Sequence, residues 1–193
     1  MLETQIALNM ESVHDRCVGT KQIVDTLETL REWGYRAVEI LHCLNPDDGS
    51  TWREILDANG MRACATHELF DDILADSDHF IRKAKELDCA YVSVGLAQSV
   101  VWEDVQSVKK LVLDLNRIGR RFYEAGVKLL YHNHNMEFAK ITPDKNCLQY
   151  IFEETNPLFI GAELDVYWVQ LSGQNPLEWC KLLDGRLKAL HLK

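Results

Sequence analysis

The sequence predicts an α/β chain folded as a TIM-type (β/α) barrel with seven parallel strands. Three observations carry this. Strand-like apolar runs alternate with amphipathic helices along the chain, with no linker or low-complexity stretch, and that alternation calls for a parallel sheet with crossover helices. Polar residues stand at alternate positions inside the apolar strands: Glu39, His67, Ser93, His132 and His134, Glu163 and Asp165, His191 and Lys193. Strands of an open doubly wound sheet, covered on both faces, would read as nearly continuous apolar runs, whereas polar groups at the ends of many strands are what a barrel mouth requires. Finally, no glycine-rich phosphate loop follows the first strand, so a dinucleotide-binding fold has no fingerprint here.

Taken in order, Gln5 to Met10 reads as the first strand. Lys21 to Trp33 reads as a helix, with Ile23, Leu27 and Leu30 at helical spacing and Gly34 as its stop. Arg36 to His42 is the second strand. Thr51 to Asn59 is a short helix that Ser50 is placed to cap and Gly60 closes. Met61 to Glu68 is the third strand, followed by a helix over Asp76 to Leu87 with Asp76 or Ser77 at its cap. Ala90 to Leu96 is the fourth strand. Glu103 to Ala125 is the longest helix, with Val105, Val108, Val112, Leu115, Ile118 and Phe122 on one stripe and Gly126 after it. Lys128 to His134 is the fifth strand, Asn146 to Glu154 a helix, and Ile160 to Trp168 the sixth strand. Asn175 caps a helix over Pro176 to Leu183, with proline at its first position. Leu187 to Lys193 is the seventh strand.

The 193 residues suffice for one domain with a real core. The net charge of -9 disfavours a nucleic-acid partner, which normally meets a basic face. Cys17, Cys43, Cys64, Cys89, Cys147 and Cys180 are scattered, with no Cys-x-x-Cys pair. They read as free thiols of a reducing cytoplasm, several of them core filling. The N-terminus shows no basic region before an apolar run, and no run approaches membrane-spanning length. The expected setting is therefore cytoplasmic, with no membrane partner.

The chemistry concentrates in Lys128 to Phe138. Side chains alternate along a strand, so His132 and His134 share a face, with Glu137 just beyond. Two imidazoles and a carboxylate within six residues suit a divalent cation that takes N and O ligands. Glu163 and Asp165 likewise share a face, and paired carboxylates inside a strand are costly without a cation. Asp165 is nearer the strand end and is the better ligand. His191 again ends a strand, with Lys193 on its face. A buried Glu39 must be paired or coordinated. His67 is a site candidate or a core histidine bonded to a carbonyl. His42, on the face opposite Glu39, reads as structural, and His14 and His79 as exposed. Tyr167 and Trp168 form either an apolar wall for a sugar ring or ordinary packing.

These residues carry a resemblance. Tyr131-His132-Asn133-His134 with Glu137-Phe138, then Glu163-Leu164-Asp165-Val166-Tyr167-Trp168, then Gly185-Arg186 leading to Leu190-His191-Leu192-Lys193, resemble the sugar phosphate isomerase/epimerase family. This is the xylose-isomerase-like TIM-barrel group that includes inosose dehydratases and is related to endonuclease IV. The resemblance implies a divalent metal (Mn, Co, Mg or Zn) and a small carbohydrate substrate. It implies Asp165 and His191 as metal ligands, joined by either His132 or Glu137, because many relatives place a glutamate where His132 stands. It leaves Glu163, His134, Lys193, Glu39 and His67 for proton transfer or substrate contact, with Tyr167 and Trp168 against the substrate.

The expected reaction is isomerisation or epimerisation of a sugar, sugar phosphate or keto-polyol by proton transfer alpha to a carbonyl. Inosose-type dehydration, abasic-site DNA cleavage, and an inactive fragment that only binds ligand or partner are the alternatives. The family continues past His-Leu-Lys, so the chain reads as an incomplete barrel lacking its eighth βα unit, open between the first and seventh strands. Exposed strand edges then predict either a homo-oligomer or a chain that is part of a longer protein.

Overall fold

The computed structural model describes residues 5–44 and 48–193; the N-terminal reading over residues 1–4 lies outside them. The fold is α/β, with seven parallel strands in one run of neighbours and a small hairpin apart. Contacts divide the chain into two compact units, residues 1–68 with 78–92 and residues 69–77 with 93–193.

In the first unit, strand β1 (Leu8–Asn9) pairs in parallel with β2 (Ala37–Leu41), and β2 with β3 (Arg62–Glu68). The first strand is two residues rather than six, because the chain turns at Met10 into a 3-10 helix over Met10–Arg16 whose start Asn9 caps. Helix α1 (Thr20–Glu32) presents Ile23, Leu27 and Leu30, and α2 (Gly49–Ala58) presents Trp52, Ile55 and Leu56, to one apolar core with Val38 and Ile40. The cap of α2 is Asp48, whose carboxylate accepts the Thr51 N–H at 2.7 Å; Ser50, the expected cap, instead donates its hydroxyl to Asp48. Helix α4 (Ser77–Glu86) closes this unit before β4 (Tyr91–Val94), within which the chain passes to the second unit. His79 is half-buried on α4, edge-on to Phe80, rather than exposed.

The second unit begins with α3 (Phe70–Ala75), which the sequence reading left as a connection. After β4 comes α5 (Val105–Glu124), capped by Asp104 and burying Val108, Leu111, Val112, Leu115, Ile118 and Phe122. At Gly119 an added Cβ would lie 2.5 Å from Ile160 Cδ1, so an alanine there would require the Ile160 side chain to move. Strand β5 (Lys128–His132) pairs in parallel with β8 (Ile160–Asp165), and β8 with β9 (Leu187–His191). Between β5 and β8 lie a 3-10 turn (Met136–Phe138), the hairpin β6 (Lys140–Thr142) with β7 (Lys145–Asn146), and α6 (Cys147–Glu154) with an Asn146–Gln149 capping box.

The expected sixth strand ran to Trp168. It stops at Asp165 instead, whose side chain caps α7 (Val166–Leu171), so Tyr167 and Trp168 stand on a helix. Helix α8 (Pro176–Leu182) follows, capped by Asn175. Arg186, at the entrance to β9, donates to the carbonyls of Phe152, Thr155 and Ile160 and to the Thr155 hydroxyl. These bonds tie the end of α6 to the start of β8. Burial among neutral acceptors pulls this guanidinium down to about 10. All six cysteines are free, and Cys17, Cys89 and Cys147 are buried. No helix among the described residues is long and apolar enough to cross a membrane.

Candidate functional site

The site grows out of the register of β5, β8 and β9. His132 pairs with Glu163, Glu163 with Ala189, and Asp165 with His191. Paired residues of a parallel ladder face the same way, so the period-two pattern delivers His132, Glu163, Asp165 and His191 to one face of the second unit. All are buried, at 2%, 1%, 0% and 8% exposure. His132, Glu163 and His191 each offer a ligand atom within 4.8 Å of the others.

Two carboxylates bracket the imidazole pair. Glu163 Oε2 lies 3.5 Å from His132 Nδ1 and 3.5 Å from His191 Nε2, and accepts the Ser93 hydroxyl at 2.5 Å. Asp165 Oδ2 lies 4.0 Å from His132 Nε2 and 3.9 Å from His191 Nδ1, on the opposite ring nitrogens. Asp165 Oδ1 accepts the Trp168 N–H at 3.1 Å, whereas Oδ2 has no hydrogen-bond donor. The Lys193 ammonium sits 3.0 Å from Oδ2, outside hydrogen-bond geometry.

This donor set fits a divalent ion. It offers imidazole nitrogens and carboxylate oxygens, the ligand types such ions take from proteins. A fully buried carboxylate oxygen with no donor is costly unless a cation faces it, and Lys193 already brings one to that spot.

Beside the cluster, the His134 ring is 4.9 Å from His132 and 5.6 Å from Trp168, and Lys193 Nζ lies 5.6 Å over the Trp168 indole. Tyr167 packs against Trp168 at 5.0 Å and stays exposed. Glu39 and His67 are together in the first unit, with His67 Nδ1 3.0 Å from Glu39 Oε1 and the Asn9 amide donating to Glu39 Oε2 at 2.9 Å.

Glu137 takes a different place. It is buried, its Oε2 accepts the His134 N–H at 2.9 Å and its Oε1 faces the Tyr131 hydroxyl at 3.2 Å. Burial pushes its carboxyl up to about 7 from an ordinary 4.5, against the hydrogen bonds that pull it down. The folded chain therefore keeps a proton that the unfolded chain has released between those values. Stability falls as pH rises through that window, by roughly 3 kcal/mol at about 1.4 kcal/mol per pH unit. Glu137→Gln keeps an oxygen for His134 and turns an N–H toward Tyr131, so its denaturant midpoint should fall less from pH 5 to pH 8 than that of the native chain and exceed it at pH 8. Equal pH profiles in urea melts would contradict this.

Two residues of this region were not singled out for the site: Ser93, on Glu163, and Asn133, whose amide bonds the main chain of Asp165. For Ser93 the available signal is a small polar residue inside the apolar β4.

Parallel strands alternating with helices, with histidines and carboxylates gathered at strand ends, define the TIM-barrel class. Within it, the chain belongs to the xylose isomerase-like TIM barrel family, whose family model matches residues 27–193.

Among curated relatives, it is 29% identical over 84 residues to inosose dehydratase 1 of Bacillus cereus, a match spanning 44% of this chain and 27% of that enzyme. The stretch in common is thus about a quarter of the relative's length. Among solved structures, a sugar phosphate isomerase/epimerase of Parabacteroides distasonis superposes with a TM-score of 0.78 at 23% identity, over 96% of this chain and 73% of that one. A xylose isomerase-like TIM barrel protein of Mycobacterium smegmatis in complex with magnesium gives 0.75 at 15% identity, over 98% and 74%. At these identities the likeness shows the fold.

Proposed function

We propose that the chain is a divalent-metal-dependent isomerase or epimerase that moves a proton alpha to the carbonyl of a small sugar, sugar phosphate or keto-polyol. The observation that supports it most is the buried His132–His191 pair bracketed by Glu163 and Asp165. His132, His191 and Asp165 would hold the ion. Asp165 is assigned to it because Oδ2 faces a ring nitrogen of each imidazole, and His132 rather than Glu137 because the Glu137 oxygens are engaged elsewhere. A divalent ion held there supplies Lewis-acid polarisation of a substrate carbonyl or hydroxyl oxygen.

Glu163 is the base. Its Oε2 takes the proton from the carbon beside the carbonyl, and the Ser93 hydroxyl fixes that oxygen's direction. His134 returns a proton on the other side of the reacting carbons, next to Trp168. The Lys193 ammonium steadies the negative charge that gathers on substrate oxygen, and Trp168 with Tyr167 offers an apolar face to the carbon skeleton.

A second reading is dehydration, in which a beta-hydroxyl leaves after the same proton abstraction. The match to inosose dehydratase 1 favours it. The two readings are separated by incubating the Mn²⁺-loaded chain with ketoses and inososes in D₂O. Deuterium incorporation without loss of water supports isomerisation or epimerisation, and growth of enone absorbance supports dehydration. Neither signal with any of them would remove the proposal.

A further inference from the structure

We infer that Asn133 is a positioning residue that sets the direction of the Asp165 carboxylate; this rests on the proposed role of Asp165 as a ligand. Strand β5 ends at His132, paired with Glu163, so its ladder gives out before Asp165. In a parallel ladder a residue turns its N–H and C=O toward the same neighbour. Those of Asp165 turn toward β5 and would be left without strand partners, in a place where Asp165 is fully buried. The Asn133 side chain takes over. Its Oδ1 accepts the Asp165 N–H at 2.9 Å and its Nδ2 donates to the Asp165 carbonyl at 3.3 Å, with Asn133 itself 1% exposed.

One amide thus imitates a further rung of the sheet, which only a side chain with a donor and an acceptor side by side can do. With the main chain held there and Oδ1 fixed on the Trp168 N–H, the remaining oxygen of Asp165 is aimed at the spot where the two imidazoles and the Lys193 ammonium meet. Asn133 touches neither substrate nor ion; it acts through Asp165.

The test uses the full chain with Asn133→Ser, which leaves room for water to reach both main-chain groups, and with Asn133→Asp, which keeps volume and the acceptor but loses the donor. Two measurements are made. In native-state hydrogen exchange, both variants should melt cooperatively yet lose protection at the Trp168 amide as well as at Asp165, while the β5 amides keep theirs. In calorimetric titration with Mn²⁺, Asn133→Ser should weaken affinity by about tenfold to a hundredfold, as loss of a group orienting a ligand does. In an Asp165→Ala background the same substitution should have almost no further effect. An unchanged Trp168 amide, or equal weakening in both backgrounds, would overturn the inference. If the native chain takes up no Mn²⁺, the metal reading falls and the exchange measurement alone decides whether Asn133 fixes Asp165.

Discussion

Glu163→Gln is expected to slow proton exchange on the substrate by roughly 10²–10⁴-fold, the usual contribution of a positioned general base, while Mn²⁺ affinity stays close to native. The glutamine keeps the shape and can still accept the Ser93 hydroxyl that Glu163 Oε2 receives at 2.5 Å, so packing at this buried position changes little. It cannot take a proton. The three groups assigned to the ion, His132, His191 and Asp165, are untouched, and the loss should therefore fall on turnover rather than on metal affinity. Comparing rates of deuterium wash-in with calorimetric Mn²⁺ titrations of both proteins checks this. Loss of metal binding together with turnover would make Glu163 a ligand, and native turnover would remove it from the chemistry.

Lys83→Met is expected to cost the first unit about 3–5 kcal/mol, the usual penalty for leaving one partner of a buried ion pair uncompensated. Lys83 on α4 and Glu68 at the end of β3 are each 2% exposed in their side chains, with Nζ 3.0 Å from Oε1. Methionine retains much of the aliphatic stem but loses the ammonium that pairs with Glu68 and lies 6.0 Å over the Phe80 ring. Against a net stability of ~5–15 kcal/mol for a typical domain, this is severe. The double substitution Lys83→Met with Glu68→Leu should recover most of the loss, because neither charge of this pair then remains. Urea melts of the two single variants and the double would read it. A double variant as unstable as Lys83→Met alone would show that packing, and not charge, is what Lys83 supplies.

The strand and helix order was legible because each element carries its own period and punctuation. Ile23, Leu27 and Leu30 mark α1, and the Asn175-Pro176 start marks α8. Period two also put His132 with His134, and Glu163 with Asp165, on one face of their own strands; the register of β5, β8 and β9 then joins His132, Glu163, Asp165 and His191. What was not legible came from competition between local and tertiary demands. The apolar run after Asp165 reads equally as strand or helix, and the Asp165 cap decides for helix. Asp48 outcompetes Ser50 because a carboxylate at that position reaches the Thr51 N–H while Ser50 is already inside the helix. Glu137 sits within six residues of the histidines, yet a 3-10 turn folds it back onto Tyr131. Spacing cannot show which way such a turn points. Asn133 was hidden because its role lies in one main-chain contact 32 residues away.

The most direct test of the central claim is a calorimetric titration of Mn²⁺ into the purified full chain, repeated with His132→Ala and with His191→Ala. One ion per native chain, lost in both variants, is the result expected if the paired histidines hold a divalent metal. No binding heat in the native chain, or binding that survives both substitutions unchanged, would contradict it.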